Sequence, residues 1–292
     1  MATPGFGGKI LLVNLTTKEI IRLDSEQYEM FGGGHGTTCD PFYQYCGAVF
    51  ELSPPKKKGG KWTEKVLHGF RGGRDGANPN GGLVFDTTGA IYGTTYSGGN
   101  QECKFNDSVG CGTAFELAPP AKPGQDWIEN VITRFGDALD AGEPSAGLVF
   151  DSDGRLYGTT LGGSGGWGTI FRLDPKPNGG WKGRILYSFH DNDDGCCPRA
   201  ALTVSAAGDF YGSATGGGVS GGGTVFRLRK AHDGQWEFAI LYAFAGTPDG
   251  SYPTGPLIFD RDGNLYGTAQ ESGSTGPNCG HTGCGTVYRL SP

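Results

Sequence analysis

Residues 156–173 read Leu156-Tyr157-Gly158-Thr159-Thr160-Leu161-Gly162-Gly163-Ser164-Gly165-Gly166-Trp167-Gly168-Thr169-Ile170-Phe171-Arg172-Leu173. Two short runs of β-forming residues are joined by a glycine-rich loop around Trp167. Both halves recur along the chain. Tyr92-Gly93-Thr94-Thr95, Tyr211-Gly212-Ser213 and Tyr266-Gly267-Thr268 repeat the first half. Gly47-Ala48-Val49-Phe50, Gly112-Thr113-Ala114-Phe115, Gly223-Thr224-Val225-Phe226 and Gly285-Thr286-Val287-Tyr288 repeat the second.

Two further runs flank this pair. Upstream lies an apolar run such as Leu148-Val149-Phe150-Asp151, with Gly154 three residues on; its sisters start at Leu83, Leu202 and Leu257. Asp-x-x-Gly makes a tight hairpin turn because glycine accepts positive φ. Downstream lies a run opened by Trp62, Trp127, Trp181 or Trp236 and closed by Phe70, Phe135, Phe189 or Phe244. Tryptophan, the first aliphatic residue and phenylalanine fall at i, i+4 and i+8, which an uninterrupted strand puts on one face. No segment keeps a 3.6-residue period.

Successive repeat tyrosines (Tyr92, Tyr157, Tyr211, Tyr266) stand 65, 54 and 55 residues apart, and the four tryptophans keep the same intervals. Four short strands in a unit of about 55 residues, repeated, predict an all-β fold of antiparallel four-stranded blades, a β-propeller. The third run occurs five times, so five blades are expected, within a single domain over 1–292. The blades run approximately 36–80, 81–145, 146–200, 201–255 and 256–292. Residues 1–35 supply closing strands, Lys9–Val13 and Glu19–Leu23 among them, that complete the ring and protect its last edge. The same strands exchanged between molecules would give a filament.

Asn264-Leu265-Tyr266-Gly267-Thr268 and Gly223-Thr224-Val225-Phe226-Arg227-Leu228, with their sister copies, resemble the GloVer tandem-repeat proteins, bacterial surface or secreted proteins with a choice-of-anchor sorting segment. The resemblance covers about residues 36–292. It implies a propeller-like repeat domain displayed outside the cell, and it brings no catalytic residues with it. Separately, Gly8-Lys9-Ile10-Leu11-Leu12-Val13-Asn14-Leu15-Thr16-Thr17 resembles the opening hairpin of tungsten aldehyde ferredoxin oxidoreductases over about 25 residues, and no cofactor is carried over.

A net charge of -6 excludes the basic face of a nucleic-acid binder. No apolar stretch approaches the ~20 residues of a membrane-spanning helix. Met1-Ala2-Thr3-Pro4-Gly5 does not read as a signal peptide, so an export signal would be removed or lie outside this chain. Of eight cysteines, Cys39 with Cys46, Cys103 with Cys111 and Cys279 with Cys284 fall in the same loop of three units. That equivalence predicts three loop-stapling disulfides and an oxidising, extracellular or cell-surface setting. Cys196 and Cys197 remain, and a strained vicinal disulfide is expected between them.

The stapled loops share a rim with the links between blades, each of the form Asp-x-x-x-Pro: Asp75 to Pro79, Asp140 to Pro144, Asp194 to Pro198 and Asp249 to Pro253. The four Asp side chains cap turns or ring a channel. One carboxylate per blade is thin for calcium, which takes six to eight oxygens, so no cofactor is expected, with calcium in the channel as the alternative. The same rim gathers Phe42, Tyr43, Tyr45, Trp167, His190, Asp191, Arg199, Tyr252 and His281. Aromatic rings that stack, beside polar groups that orient, suit a glycan or a surface protein. The expected function is therefore a non-catalytic binding module. The alternatives are a structural protein that assembles by strand exchange, and a propeller glycoside hydrolase using inward carboxylates.

Overall fold

A computed structural model describes residues 9–14, 19–24, 46–105, 108–137, 139–163, 165–190, 193–273, 279 and 283–292. Phe42, Tyr43, Tyr45, Cys39, Asp191 and His281 lie outside them. Among the described residues every strand pairing is antiparallel, there is no α-helix, and no helix is long and apolar enough to cross a membrane.

The repeat becomes a row of sheets. Units two, three and four are complete meanders of four strands. In unit three these are Val149–Phe150, Leu156–Thr160, Thr169–Pro175 and Trp181–Ser188, hydrogen-bonded in chain order. Among the described residues unit one contributes its third and fourth strands, Ala48–Ser53 and Thr63–Gly69. Unit five ends after its third, Gly283–Leu290, and the link Ser251–Pro253 pairs onto its second. The first strand of units two to five is shorter than expected, two residues long in each; in unit three the chain turns at once at Asp151. That carboxylate accepts the backbone N–H groups of Asp153 and Arg155 and the Tyr157 hydroxyl, all at 2.9 Å. The amino-terminal strands Lys9–Asn14 and Glu19–Asp24 form a hairpin with each other.

The fourth strand departs from the sequence expectation. In units one to four its register slips by one residue at the aliphatic pair, between Val131 and Thr133 in unit two and opposite Ile170/Phe171 in unit three. One extra residue reverses the alternation of side chains. Tryptophan and phenylalanine therefore occupy opposite faces of the sheet. Trp127 packs back into the cluster of Phe70, Phe115 and Leu117, while Phe135 packs forward with Leu156, Phe171 and Leu173. Trp181 and Phe189 divide in the same way, as do Trp236 and Phe244. The bulge thus lets one strand serve two cores.

Among the described residues four cores result, one between each pair of successive sheets, and each is built on an edge-to-face ring pair. Phe70 meets Phe115 at 5.1 Å, Phe135 meets Phe171 at 5.0 Å, Phe189 meets Phe226 at 5.5 Å and Phe244 meets Tyr288 at 4.9 Å. Such pairs contribute about 0.5–1.5 kcal/mol beyond the area they bury. The glycine of Tyr-Gly-Thr is explained here. A Cβ on Gly158 would lie 2.6 Å from the Phe171 ring and 2.9 Å from Leu148.

Candidate functional site

The two sequence motifs of the rim clasp each other across units. Gly168, with φ +101°, opens the third strand of unit three and lies under Pro198 of the following link; a Cβ there would approach Pro198 Cδ to 2.7 Å. Gly47 with Pro79, Gly112 with Pro144 and Gly223 with Pro253 repeat the contact. The residue before each proline is Asn78, Glu143, Cys197 or Tyr252, and all four hold φ between 57° and 61°, a left-handed backbone that non-glycine residues adopt at a cost. Hydrogen bonds hold them there. Cys197 N–H donates to the Trp167 carbonyl at 2.9 Å, and Thr215 N–H donates to the Cys197 carbonyl at 3.3 Å. Tyr252 N–H donates to Gly222 O at 2.8 Å in the same manner. Each link residue is thus stitched to the unit before it, and Asn78, Glu143 and Cys197 also accept from the unit after, so links and loops share one rim.

Trp167 stands on this rim between two glycines, 36% exposed, with its own carbonyl pinned by Cys197. Arg199 lies beside Cys197. A cleft of about 320 Å³ opens around the 42%-exposed Tyr252, lined also by Ser220, Thr247, Ser251, Glu271 and Ser272. A second, of about 390 Å³, lies beside the stapled loop of unit two and presents Arg74, Asn100, Gln101, Glu102, Arg134 and Asp137. His190 projects its exposed ring from the turn that Asp194 caps.

Cys103–Cys111 and Cys279–Cys284 are disulfides, and Cys46 is disulfide-bonded too. Cys196 and Cys197 are not: their sulfurs stand 3.0 Å apart as two thiols, which corrects the expected vicinal bond. Neighbouring Cα atoms across a trans peptide, about 3.8 Å apart, are closer than a relaxed disulfide allows. The Cys197 thiol is drawn down to about 7, first by its hydrogen bond with Cys196 and then by Arg199, against the effect of burial.

Three of the link carboxylates cap their own turns. Asp194 accepts His190 N–H and the Tyr187 hydroxyl, and Asp249 accepts Ala245 N–H at 2.9 Å and the Tyr242 hydroxyl at 2.7 Å. Asp75 accepts Arg71 N–H at 2.6 Å, while Asp140 is exposed. In unit one, however, His68 stands where units three and four have Tyr187 and Tyr242. Glu129 of unit two stands where unit four has Phe238. The sequence does not mark the two as a pair: the first position is Thr133 in unit two, the second is Glu64 in unit one and Gly183 in unit three, and the Tyr/Phe pairing is confined to the interface of units three and four. Burial, then the Asp75 carboxylate, pushes Glu129 up to about 9. For Asp75 burial acts upward, yet the neighbouring His68 and Glu129 side chains, with the hydrogen bond from the Arg71 N–H, hold it below the usual carboxylate range.

Fold and rim define a repeat-built, disulfide-stapled β protein whose irregular loops gather on one side. The Gloeobacter/Verrucomicrobia repeat matches residues 103–292, and the chain belongs to that family. The curated proteins hold no match to it. Among solved structures it is similar to a bifunctional GH43-CE protein of Bacteroides eggerthii, at 16% identity and a TM-score of 0.39, over 84% of this chain and 30% of that one. The chain therefore spans less than a third of that protein's length.

Proposed function

We propose that the chain is an extracellular, non-catalytic binding module: a five-bladed propeller, closed by its amino-terminal strands, that binds a glycan on the rim of links and stapled loops. The observation that carries this reading is Trp167, an indole held out of the core by a glycine loop and fixed at its carbonyl by Cys197. Polar clefts at Tyr252 and at Arg74/Arg134 supply the groups that would orient hydroxyls. The disulfides and the repeat family support the extracellular setting. On a glycan array the intact chain is expected to select a subset of oligosaccharides. Trp167→Ala is expected to weaken that binding at least tenfold, about 1.4 kcal/mol, with an unchanged melting temperature. Equal binding by the variant, or no glycan bound by the intact chain, would reject the reading.

One observation favours assembly as a second reading. Phe50 is 40% exposed and Val66 53%, although the sister residue Phe115 is fully buried. At the other end of the row Val287 is 79% exposed, whereas Val225 is fully buried. Among the described residues, unit one's back face and unit five's front face are the two ends of the series, and they would be covered either within one chain or between chains.

A further inference from the structure

At the interface of units three and four, Tyr187 stacks on Phe238, with ring centroids 3.8 Å apart and planes 5° from parallel, and its hydroxyl donates to Asp194. The equivalent positions between units one and two bring together His68, Asp75 and Glu129. An apolar stacked pair is replaced by an imidazole and a second carboxylate, all three side chains being 12–22% exposed. We propose that this cluster binds one first-row divalent cation, with zinc the best fit, clamping the first unit to the second.

The donor geometry carries the proposal. His68 Nε2 lies 3.6 Å from Asp75 Oδ1 and 3.9 Å from Glu129 Oε2, and one ligand atom from each residue lies within 4.8 Å of the others. Tetrahedral zinc with ligands at about 2.1 Å separates them by about 3.4 Å. A contraction of a few tenths of an ångström therefore brings the imidazole to ligand spacing with each carboxylate. No protein group uses these donors fully: His68 Nε2 and Glu129 Oε1 are buried without a hydrogen-bond partner. An orphaned buried polar group is costly, and a cation at the centre removes two such costs at once. Phe70, edge-on to the imidazole at 4.8 Å, fixes its plane. Two carboxylates and one imidazole offset a divalent charge, and a mixed nitrogen and oxygen set suits zinc better than calcium, which prefers oxygens throughout. The remaining exposure leaves room for water as a fourth ligand.

The test is zinc chloride titrated calorimetrically into chelator-stripped chain at pH 7.5, on a Cys196→Ser/Cys197→Ser background so that the thiols do not compete. One zinc per chain is expected, together with a rise in melting temperature. Glu129→Gln, which keeps the side-chain volume, and His68→Gln should each weaken binding at least tenfold. Glu129→Phe, which restores the aromatic residue of the sister interface, should fold with the metal-free melting temperature or a higher one and ignore zinc. Cobalt bound to the parent chain should show a visible d–d band that His68→Gln abolishes. Absence of zinc binding by the parent, or stoichiometric binding unchanged in both Gln variants, would overturn the proposal, leaving a carboxyl pair that shares a proton.

Discussion

Phe171→Ala is expected to lower the unfolding free energy by about 3–5 kcal/mol, the range for emptying a closed aromatic site. Phe171 is fully buried, meets Phe135 of the preceding unit edge-to-face at 5.0 Å, and lies over Gly158. Removing the ring opens a cavity between two sheets whose backbones are held by ladders and clasps, so the site has little room to collapse. Whole domains are stable by only about 5–15 kcal/mol, so this single change removes a large share. Its repeat equivalent Phe50 is 40% exposed, and Phe50→Ala should cost less than half as much. Guanidinium unfolding of both variants gives the comparison through the midpoints at constant m. Equal losses at the two positions would contradict the packing described for unit three.

Gly168→Ala is the second large effect, with an expected loss of roughly 3 kcal/mol. Two costs add. The backbone sits at φ +101°, which a Cβ disfavours, and that Cβ would lie 2.5 Å from the Thr160 carbonyl oxygen and 2.7 Å from Pro198 Cδ. Gly166, two residues earlier, separates these costs. Its φ is +77° and a Cβ there meets nothing within 4 Å, so Gly166→Ala should lose only about 1–2 kcal/mol. The difference measures the glycine–proline clasp between units. Should the two variants melt alike, the clasp contributes nothing and the rim is held by hydrogen bonds alone.

Much of this architecture is legible in the sequence because it repeats. Period-two runs, the Asp-x-x-Gly turn and the loop cysteines each recur, and the structure forms those sheets and turns and the disulfides Cys103–Cys111 and Cys279–Cys284. The side on which Phe135 packs was not legible. A bulge is a backbone event, and the Val131-Ile132 pair looks like any alternating stretch until Phe115 and Ala114 are seen opposite Val131 and Thr133. The state of Cys196 and Cys197 was equally hidden, since adjacency alone does not fix the distance between two sulfurs. His68 and Glu129 lie far apart in the chain and meet only because a fourth strand packs back onto the unit before it. In the candidate site, Trp167 was legible from its loop composition, whereas its tie to Cys197 came only with the register of links against loops.

We propose that successive sheets cover one another around a common axis and that the ends of the row close within one chain. Small-angle scattering across a concentration series tests it most directly. A closed ring of 292 residues and 30.6 kDa should scatter as a compact monomer with a radius of gyration of about 19 Å, independent of concentration. A mass that climbs with concentration, or a monomer markedly more extended than this, would contradict closure and place the faces of Phe50 and Val287 between molecules instead.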